Sequence, residues 1–146
     1  VDFLIEQIRR VLGAGDSVSV VIVGAGNLGR ALTYYGGFAS GGFPIKGLVD
    51  SSPEVIGQEV AGITVEPFEK LKDVVQKNSC TLGIIATPAT AAQLVADQLF
   101  DAGIYSILNF APGLVAVPES VTLRKVDLAT ELHILAFHEQ QRERNE

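Results

Sequence analysis

The chain alternates between two patterns of apolar residues, and each pattern predicts a different element. Short apolar runs rich in β-branched residues predict buried strands over residues 17–23, 44–50, 63–65, 81–87, 105–112 and 121–127. Segments with apolar residues three or four positions apart predict helices over residues 1–13, 27–35, 66–78, 88–103 and 128–146. Residues 36–43, four of them glycine, are predicted to form a loop, and residues 51–62 a turn-rich segment.

Strands that alternate with helices predict a doubly wound α/β fold with a mainly parallel sheet. The near-continuous apolar character of the strands agrees, because strands of such sheets are covered on both faces. The order of the predicted strands and helices divides the chain into three parts. They are a linker helix (residues 1–13), an α/β domain (residues 17–126) and a C-terminal helix (residues 127–146).

A glycine-rich turn follows the first domain strand. It reads G-x-G-x-x-G and consists of Gly24, Ala25, Gly26, Asn27, Leu28 and Gly29. The turn follows a predicted strand and opens a predicted helix, and Asp50 ends the next strand 21 residues after Gly29. Together these features match the fingerprint of a dinucleotide-binding Rossmann domain.

Each residue type in the turn has a chemical purpose in that interpretation. Gly24 permits the tight turn, Gly26 lets a pyrophosphate approach the backbone, and Gly29 lets the helix pack on the sheet. The helix N-terminus offers N–H groups to the phosphates. Asp50 would accept hydrogen bonds from the adenosine ribose and repel a 2′-phosphate, which favours NAD over NADP. The alternative is a structural turn without ligand.

Two further strand ends fall at the edge where ligands of such sheets bind. Thr87 and Pro88 join a strand to a helix, and either line a nucleotide or form a plain connection. Asn109 holds the same position after the next strand and could offer its amide to a ligand.

Composition narrows the functional classes. The formal charge of −6, with 11 scattered basic residues, argues against this chain gripping a nucleic-acid backbone by itself. The longest apolar runs are too short to span a bilayer. The single cysteine, Cys80, is expected to be a buried packing residue, and a cytoplasmic location follows. No metal-ligand cluster stands out.

Groups for acid–base catalysis are scarce. The only histidines, His133 and His138, lie five residues apart on the last helix and are expected at a surface or an interface. Neither Tyr34 nor Tyr35 is followed by a lysine four residues on. We therefore expect a binding domain rather than an enzyme.

The last helix carries an apolar stripe formed by Leu128, Leu132, Leu135 and Ala136. This stripe packs either on the chain's own sheet or on another subunit. Because the doubly wound unit is already complete before residue 127, the second interpretation is favoured.

Several motifs together resemble the Rex family of redox-sensing repressors, and the resemblance covers essentially the whole chain. The most specific are "GAGNLG" followed by "YYGGF", then "ILNFAP", and "VDLATEL" at the start of the last helix.

The resemblance implies a homodimer whose last helix is swapped onto the partner. It also implies an N-terminal winged-helix DNA-binding domain and a C-terminal Rossmann domain that binds NADH and NAD⁺. NADH binding would close the dimer and weaken operator binding. In this sequence Gly24–Gly29 would hold the pyrophosphate and Asp50 the adenosine ribose, while Tyr35 and Asp127 would change partners between the two states. An apolar pocket near Leu128 and the partner's helix would favour the neutral dihydronicotinamide.

The sequence departs from the family pattern in two ways. No winged helix precedes the linker helix, so we expect the sensing body of a repressor, able to reach operator DNA only through a domain outside this chain. Gly36 follows Tyr35 where the family more often has proline, which predicts a looser loop. Two alternatives remain: a small NAD-dependent oxidoreductase fragment, and a CoA-binding domain of the acyl-CoA synthetase type.

Overall fold

The computed structural model describes residues 17–144, so the predicted linker helix over residues 1–13 lies outside the described residues. The strands are β1 (Val20–Val23), β2 (Ile45–Asp50), β3 (Glu59–Val60), β4 (Ile63–Pro67), β5 (Leu82–Ile85), β6 (Ser106–Asn109) and β7 (Thr122–Lys125). The helices are α1 (Asn27–Tyr34), α2 (Gly36–Ser40), α3 (Leu71–Lys77), α4 (Ala89–Asp101) and α5 (Leu128–Arg144), with a 3₁₀ turn at Phe68–Lys70.

These strands form one seven-stranded sheet in the order β3-β4-β2-β1-β5-β6-β7. Each pairing is parallel except that of β3 with β4. The chain therefore leaves β1 first towards β2 and later towards β5, which places the point where the strand order reverses at the end of β1. The predicted α/β doubly wound fold is confirmed.

β1 shows how the sequence builds a core on both faces of the sheet. Its four residues are at most 2% exposed, and alternate side chains point to opposite faces. Val21 and Val23 pack in the cluster that contains side chains of α3 and α4, whereas Val20 and Ile22 pack in the cluster on the α1 and α2 face.

Helix α4 buries a single stripe of four residues. They follow at spacings of three, one and three positions and are Ala92, Val95, Ala96 and Leu99. Leu99 is 0% exposed, so its truncation to alanine would cost about 2–5 kcal/mol. The stripe holds α4 on the sheet, and Pro88 is the N-cap of this helix.

The structure differs from the elements predicted from the sequence in three places. Residues 36–40 form helix α2 where a loop was expected. Phe38 packs on the apolar cluster, and its carbonyl accepts the Phe43 N–H at 2.7 Å. Strand β3 lies within the segment expected to be turns. Strand β4 continues to Pro67, which is aligned with Asp50, so the following helix begins later than predicted.

Helix α5 differs from the other helices in its exposure. Every side chain described between positions 132 and 143 is exposed, including Leu132, Ile134, Leu135 and Phe137 at 46–65%. The two histidines are also exposed, as expected. Within residues 17–144, no helix is both long and apolar enough to cross a membrane.

Candidate nucleotide-binding site

The turn after β1 begins with a glycine that no other residue could replace without strain. Gly24 has a φ of +116°, and a Cβ there would overlap the backbone carbonyl of Ala86. Its N–H donates to the carbonyl of Val49 at 2.8 Å. Gly24 therefore lies between the ends of β2 and β5, at the point where the strand order reverses.

Gly29 brings helix α1 into contact with this turn. A Cβ at Gly29 would overlap the carbonyl oxygen of Gly24, so the helix can approach only because the side chain is absent. The carbonyl of Gly29 accepts a hydrogen bond from the buried Thr33 hydroxyl at 2.7 Å. Gly24 and Gly29 are thus explained by the fold alone.

Gly26 is not explained by the fold. Its backbone is extended, with φ −78° and ψ −163°, a conformation open to any residue. A Cβ there would meet no protein atom within 4 Å. Gly26 is also the N-cap of α1, and because it has no side chain, no capping hydrogen bond is made to the first-turn N–H groups. The space above Gly26 and those N–H groups are what an anionic group requires.

Asp50 is tied directly to the glycine turn. Its Oδ2 accepts the Ala25 N–H at 2.6 Å, and its Oδ1 accepts the Ser52 N–H at 2.8 Å. Each carboxylate oxygen keeps a further lone pair for a ligand. The structure therefore brings together the two parts of the predicted dinucleotide site, although their contacts with a ligand stay predictions.

A second connection across this region was missed by sequence reasoning. Arg30, in the first turn of α1, donates from Nη1 to Oε1 of Gln58 at 3.0 Å. This bond joins α1 to the segment that follows Asp50. The two residues are 28 positions apart and belong to no motif, so no pattern in the sequence pointed to the pair.

The ends of β5 and β6 continue the same edge on the other side of β1. The Ala86 N–H donates to the carbonyl of Val23, and the Phe110 N–H to that of Ile85. Pro88 is the exposed N-cap of α4, and the Thr87 hydroxyl donates to the Pro88 carbonyl at 3.3 Å. Both residues lie at the predicted edge, and their contact with a nucleotide stays a prediction.

Asn109 lies at the end of β6, where its amide was predicted to be open to a ligand. The structure instead buries the residue completely. It is 0% exposed, and its Oδ1 accepts the Ala111 N–H at 2.9 Å. Its Nδ2 is buried and has no hydrogen-bond partner among the described residues. No ligand can reach this amide in the conformation seen here.

Tyr35 lies between α1 and α2. Its ring covers the backbone of Gly37, so that a Cβ on Gly37 would overlap the ring, and it packs edge-on against Phe38 with ring centroids 4.9 Å apart. Gly36 is the first residue of α2 and does not have a positive φ, so the segment is helical rather than a loop. The loosening effect expected of Gly36 stays a prediction.

Asp127 and Leu128 join β7 to α5. The N–H of the preceding Val126 donates to the carbonyl of Asn109 at 2.9 Å, so the connection begins beside the end of β6. Asp127 is exposed, and Leu128 is the first residue of α5. The roles predicted for both residues stay predictions.

Cys80 is buried, as expected. Burial raises the pKa of its thiol from 9.0 to about 11, and the charge of Lys46 acts in the opposite direction. The thiol is therefore protonated at neutral pH and serves as a packing residue.

The reversal point, the glycine turn and the acid at the end of β2 define a Rossmann-type domain. A family model described as a CoA binding domain matches residues 16–113. Three solved structures that are 18–22% identical to the chain, two of them named as dehydrogenases, share its fold alone.

More similar proteins are named as repressors. The chain is 54% identical over 142 residues to the redox-sensing transcriptional repressor Rex of Streptomyces coelicolor, covering 97% of this chain and 55% of that protein. It is 39% identical over 138 residues to the Rex of Brevibacillus brevis, covering 94% of this chain and 67% of that protein. The chain thus spans about half the length of the Streptomyces relative.

The crystal structure of RSP in complex with β-NADH matches with a TM-score of 0.84 and 33% identity, over 97% of this chain and 69% of RSP. RSP in complex with β-NAD⁺ and operator DNA matches with a TM-score of 0.83 and 33% identity, over 97% of this chain and 65% of that one. RSP itself is described as a Rex-family repressor. The chain therefore belongs to the CoA binding domain family and to the Rex family of redox-sensing transcriptional repressors.

Proposed function

We propose that this chain is the cofactor-sensing and dimerisation part of a repressor that responds to the ratio of NADH to NAD⁺. The observation that carries the proposal is Gly26. The fold leaves its Cβ position empty and its φ is ordinary, so a glycine there serves a ligand that approaches the backbone. The uncapped first turn of α1 lies directly beside it and offers its N–H groups to a pyrophosphate.

Asp50 supports NAD(H) over two other nucleotides. Its carboxylate is held beside the turn by the N–H groups of Ala25 and Ser52. In that position it accepts hydrogen bonds from an unmodified ribose and repels a phosphate on it. NADP carries a 2′-phosphate and coenzyme A a 3′-phosphate on the adenosine ribose. The CoA-binding alternative is therefore disfavoured, although a family model bears that name.

A regulator rather than an enzyme fits the surroundings of the site. The first turn of α1 has no acidic residue, and the two histidines lie on exposed α5. The related RSP has been crystallised with β-NADH, and with β-NAD⁺ and operator DNA. Operator binding is proposed for the whole repressor, through the winged-helix domain that the resemblance implies, and NADH binding would weaken it.

The exposed apolar side chains of α5 support a homodimer. Leu132, Leu135 and Phe137 are each more than half exposed, and burying a side chain of this size is worth about 1.5–3 kcal/mol. A second copy of the chain supplies a matching apolar surface, as in most symmetric oligomers. We propose that this dimer also completes an apolar pocket near Leu128 for the neutral dihydronicotinamide.

The dimer proposal is tested by Leu135→Glu, measured by light scattering after gel filtration. The variant is expected to shift the chain from dimer to monomer. Leu94→Glu is the matched control, because Leu94 is also an exposed leucine on a helix, 56% against 62%, but lies on α4. A monomeric wild-type chain, or equal loss of dimer in both variants, would contradict this assignment.

The nucleotide class is tested by calorimetric titration of the chain with NADH, NADPH and coenzyme A. NADH is expected to bind tightest, and NADPH and coenzyme A are each expected to be at least about 10-fold weaker, which corresponds to about 1.4 kcal/mol of repulsion. Tighter binding of coenzyme A than of NADH would overturn the proposal.

A further inference from the structure

The buried amide of Asn109 is an anomaly within the candidate site. Nearly all buried polar groups in proteins are hydrogen-bonded, and each exception calls for an explanation. Here Oδ1 is used by the Ala111 N–H, whereas Nδ2 has no acceptor among the described residues. The orphaned group is a neutral donor, so it suits a neutral acceptor such as a carbonyl oxygen.

The position of Asn109 identifies which part of a dinucleotide could supply that acceptor. Asp50 ends β2, on one side of β1, and marks the adenosine half of the site. Asn109 ends β6, on the other side of β1, and is aligned with Ile85 of β5. A dinucleotide lies across the point where the strand order reverses. Its second half therefore falls over β5 and β6, and in NAD(H) that half carries a carboxamide.

The segment that follows Asn109 in the chain folds back onto its side chain, because the Ala111 N–H donates to Oδ1. We define residues 110–118 as the cover segment. Ala111 is 1% exposed and forms the turn that closes on the Asn109 Oδ1, whereas Leu114 is 96% exposed. Val115 and Val117 pack only partly against the core. The segment is thus held less firmly than the strands on either side of it.

One side chain of α4 fastens the cover segment. Gln93 donates from Nε2 to the Ala116 carbonyl at 2.8 Å, and its Oε1 accepts the Ala116 N–H at 2.9 Å. Nε2 also lies 3.0 Å from Oδ1 of Asp97, which orients the amide. Both bonds to Ala116 are exposed, so water can replace them when the segment moves.

We propose that the cover segment is a lid over Asn109, that Gln93 is its latch, and that opening the lid lets the Asn109 Nδ2 donate to the carboxamide oxygen of the nicotinamide. This inference rests on the proposed binding of NAD(H). The carboxamide is the same in NADH and NAD⁺, so this contact holds the ring without distinguishing its oxidation states. Discrimination between them must arise elsewhere, at the dimer interface.

The latch is tested with Gln93→Ala, and Gln98→Ala is the matched control because it removes the same exposed side chain from the same helix. The association rates of NADH and of ADP-ribose, which lacks nicotinamide, are measured by stopped flow. Loss of two exposed hydrogen bonds should raise the NADH rate by about 5-fold or more in Gln93→Ala alone. The ADP-ribose rate should not change. Exchange of the Ala116 amide hydrogen should be faster in the same variant, with or without ligand.

The possible failures are distinguishable. If NADH and ADP-ribose bind the wild-type chain and Gln93→Ala alters both rates equally, or alters neither, the lid inference is wrong while the proposed function stands. If neither nucleotide binds the wild-type chain, the proposed function is wrong and the lid inference falls with it.

Discussion

Alanine substitutions at two glycines of the same turn distinguish a residue required for ligand binding, Gly26, from one required for folding, Gly29. Gly26→Ala places a methyl group in open space on an extended backbone. Two small effects oppose each other: alanine is the poorer N-cap by about 0.5–1 kcal/mol, and it stiffens the unfolded chain by about 0.4–1 kcal/mol. The free energy of unfolding should therefore change by less than about 1 kcal/mol.

Gly29→Ala places the same methyl group on the carbonyl oxygen of Gly24. The clash is with backbone, which cannot rotate away, so the helix must separate from the turn. Overpacking of this kind costs about 1–3 kcal/mol or more, and we expect the upper end, about 3 kcal/mol. For a domain of this size that lowers Tm by about 10 °C.

In Gly26→Ala the affinity for NADH should fall, although the stability of the chain hardly changes. A methyl group between the backbone and a pyrophosphate imposes an overpacking penalty of about 1–3 kcal/mol on the complex, which weakens NADH binding by about 5- to 150-fold. Urea unfolding and calorimetric titration measure the two quantities on one sample. A Gly26→Ala chain that binds NADH like the wild type, at unchanged stability, would refute the assignment of this turn as the pyrophosphate site.

Three further predictions follow from single contacts. Gly37→Ala should displace the ring of Tyr35 and change its ring-proton shifts by NMR, whereas Gly36→Ala, whose Cβ meets open space, should leave them unchanged; equal spectra in both variants would contradict the packing. Because the pKa of Cys80 is raised from 9.0 to about 11, its contribution to stability should be complete below about pH 9 and be lost as the pH rises through about 11, and a thiol reagent at pH 8 should label it only on unfolding; rapid labelling of the folded chain would argue against this burial. Asp50→Asn should narrow the gap between NADH and NADPH affinities in a titration, because the repulsive charge is gone, and an unchanged gap would exclude Asp50 as its source.

The sequence predicted the fold because each element carries its own local signal. The strands of the sheet centre are β-branched and apolar, and the buried stripe of α4 has the spacing of a helix face. The dinucleotide turn was recognisable for the same reason, since glycines, helix and Asp50 stand at fixed spacings whose physical roles are known.

What could not be predicted depends on contacts between distant residues. The bonds of Gln93 to Ala116 span 23 positions, and the complete burial of Asn109 has no local signal in the sequence. Residues 36–40 carry the composition of a loop, yet the packing of Phe38 makes them helical. Local propensity is overridden in each case by tertiary packing.

The measurement that most directly tests the account compares the affinities of NADH and NAD⁺ for this chain, by calorimetric titration under identical conditions. A repressor can respond to the nucleotide ratio only if its two states bind the two forms differently. We predict that NADH binds more tightly than NAD⁺ by about 5-fold or more, the lower range of ordinary allosteric coupling. Equal affinities would contradict the proposed sensing function, even if both nucleotides occupied the site.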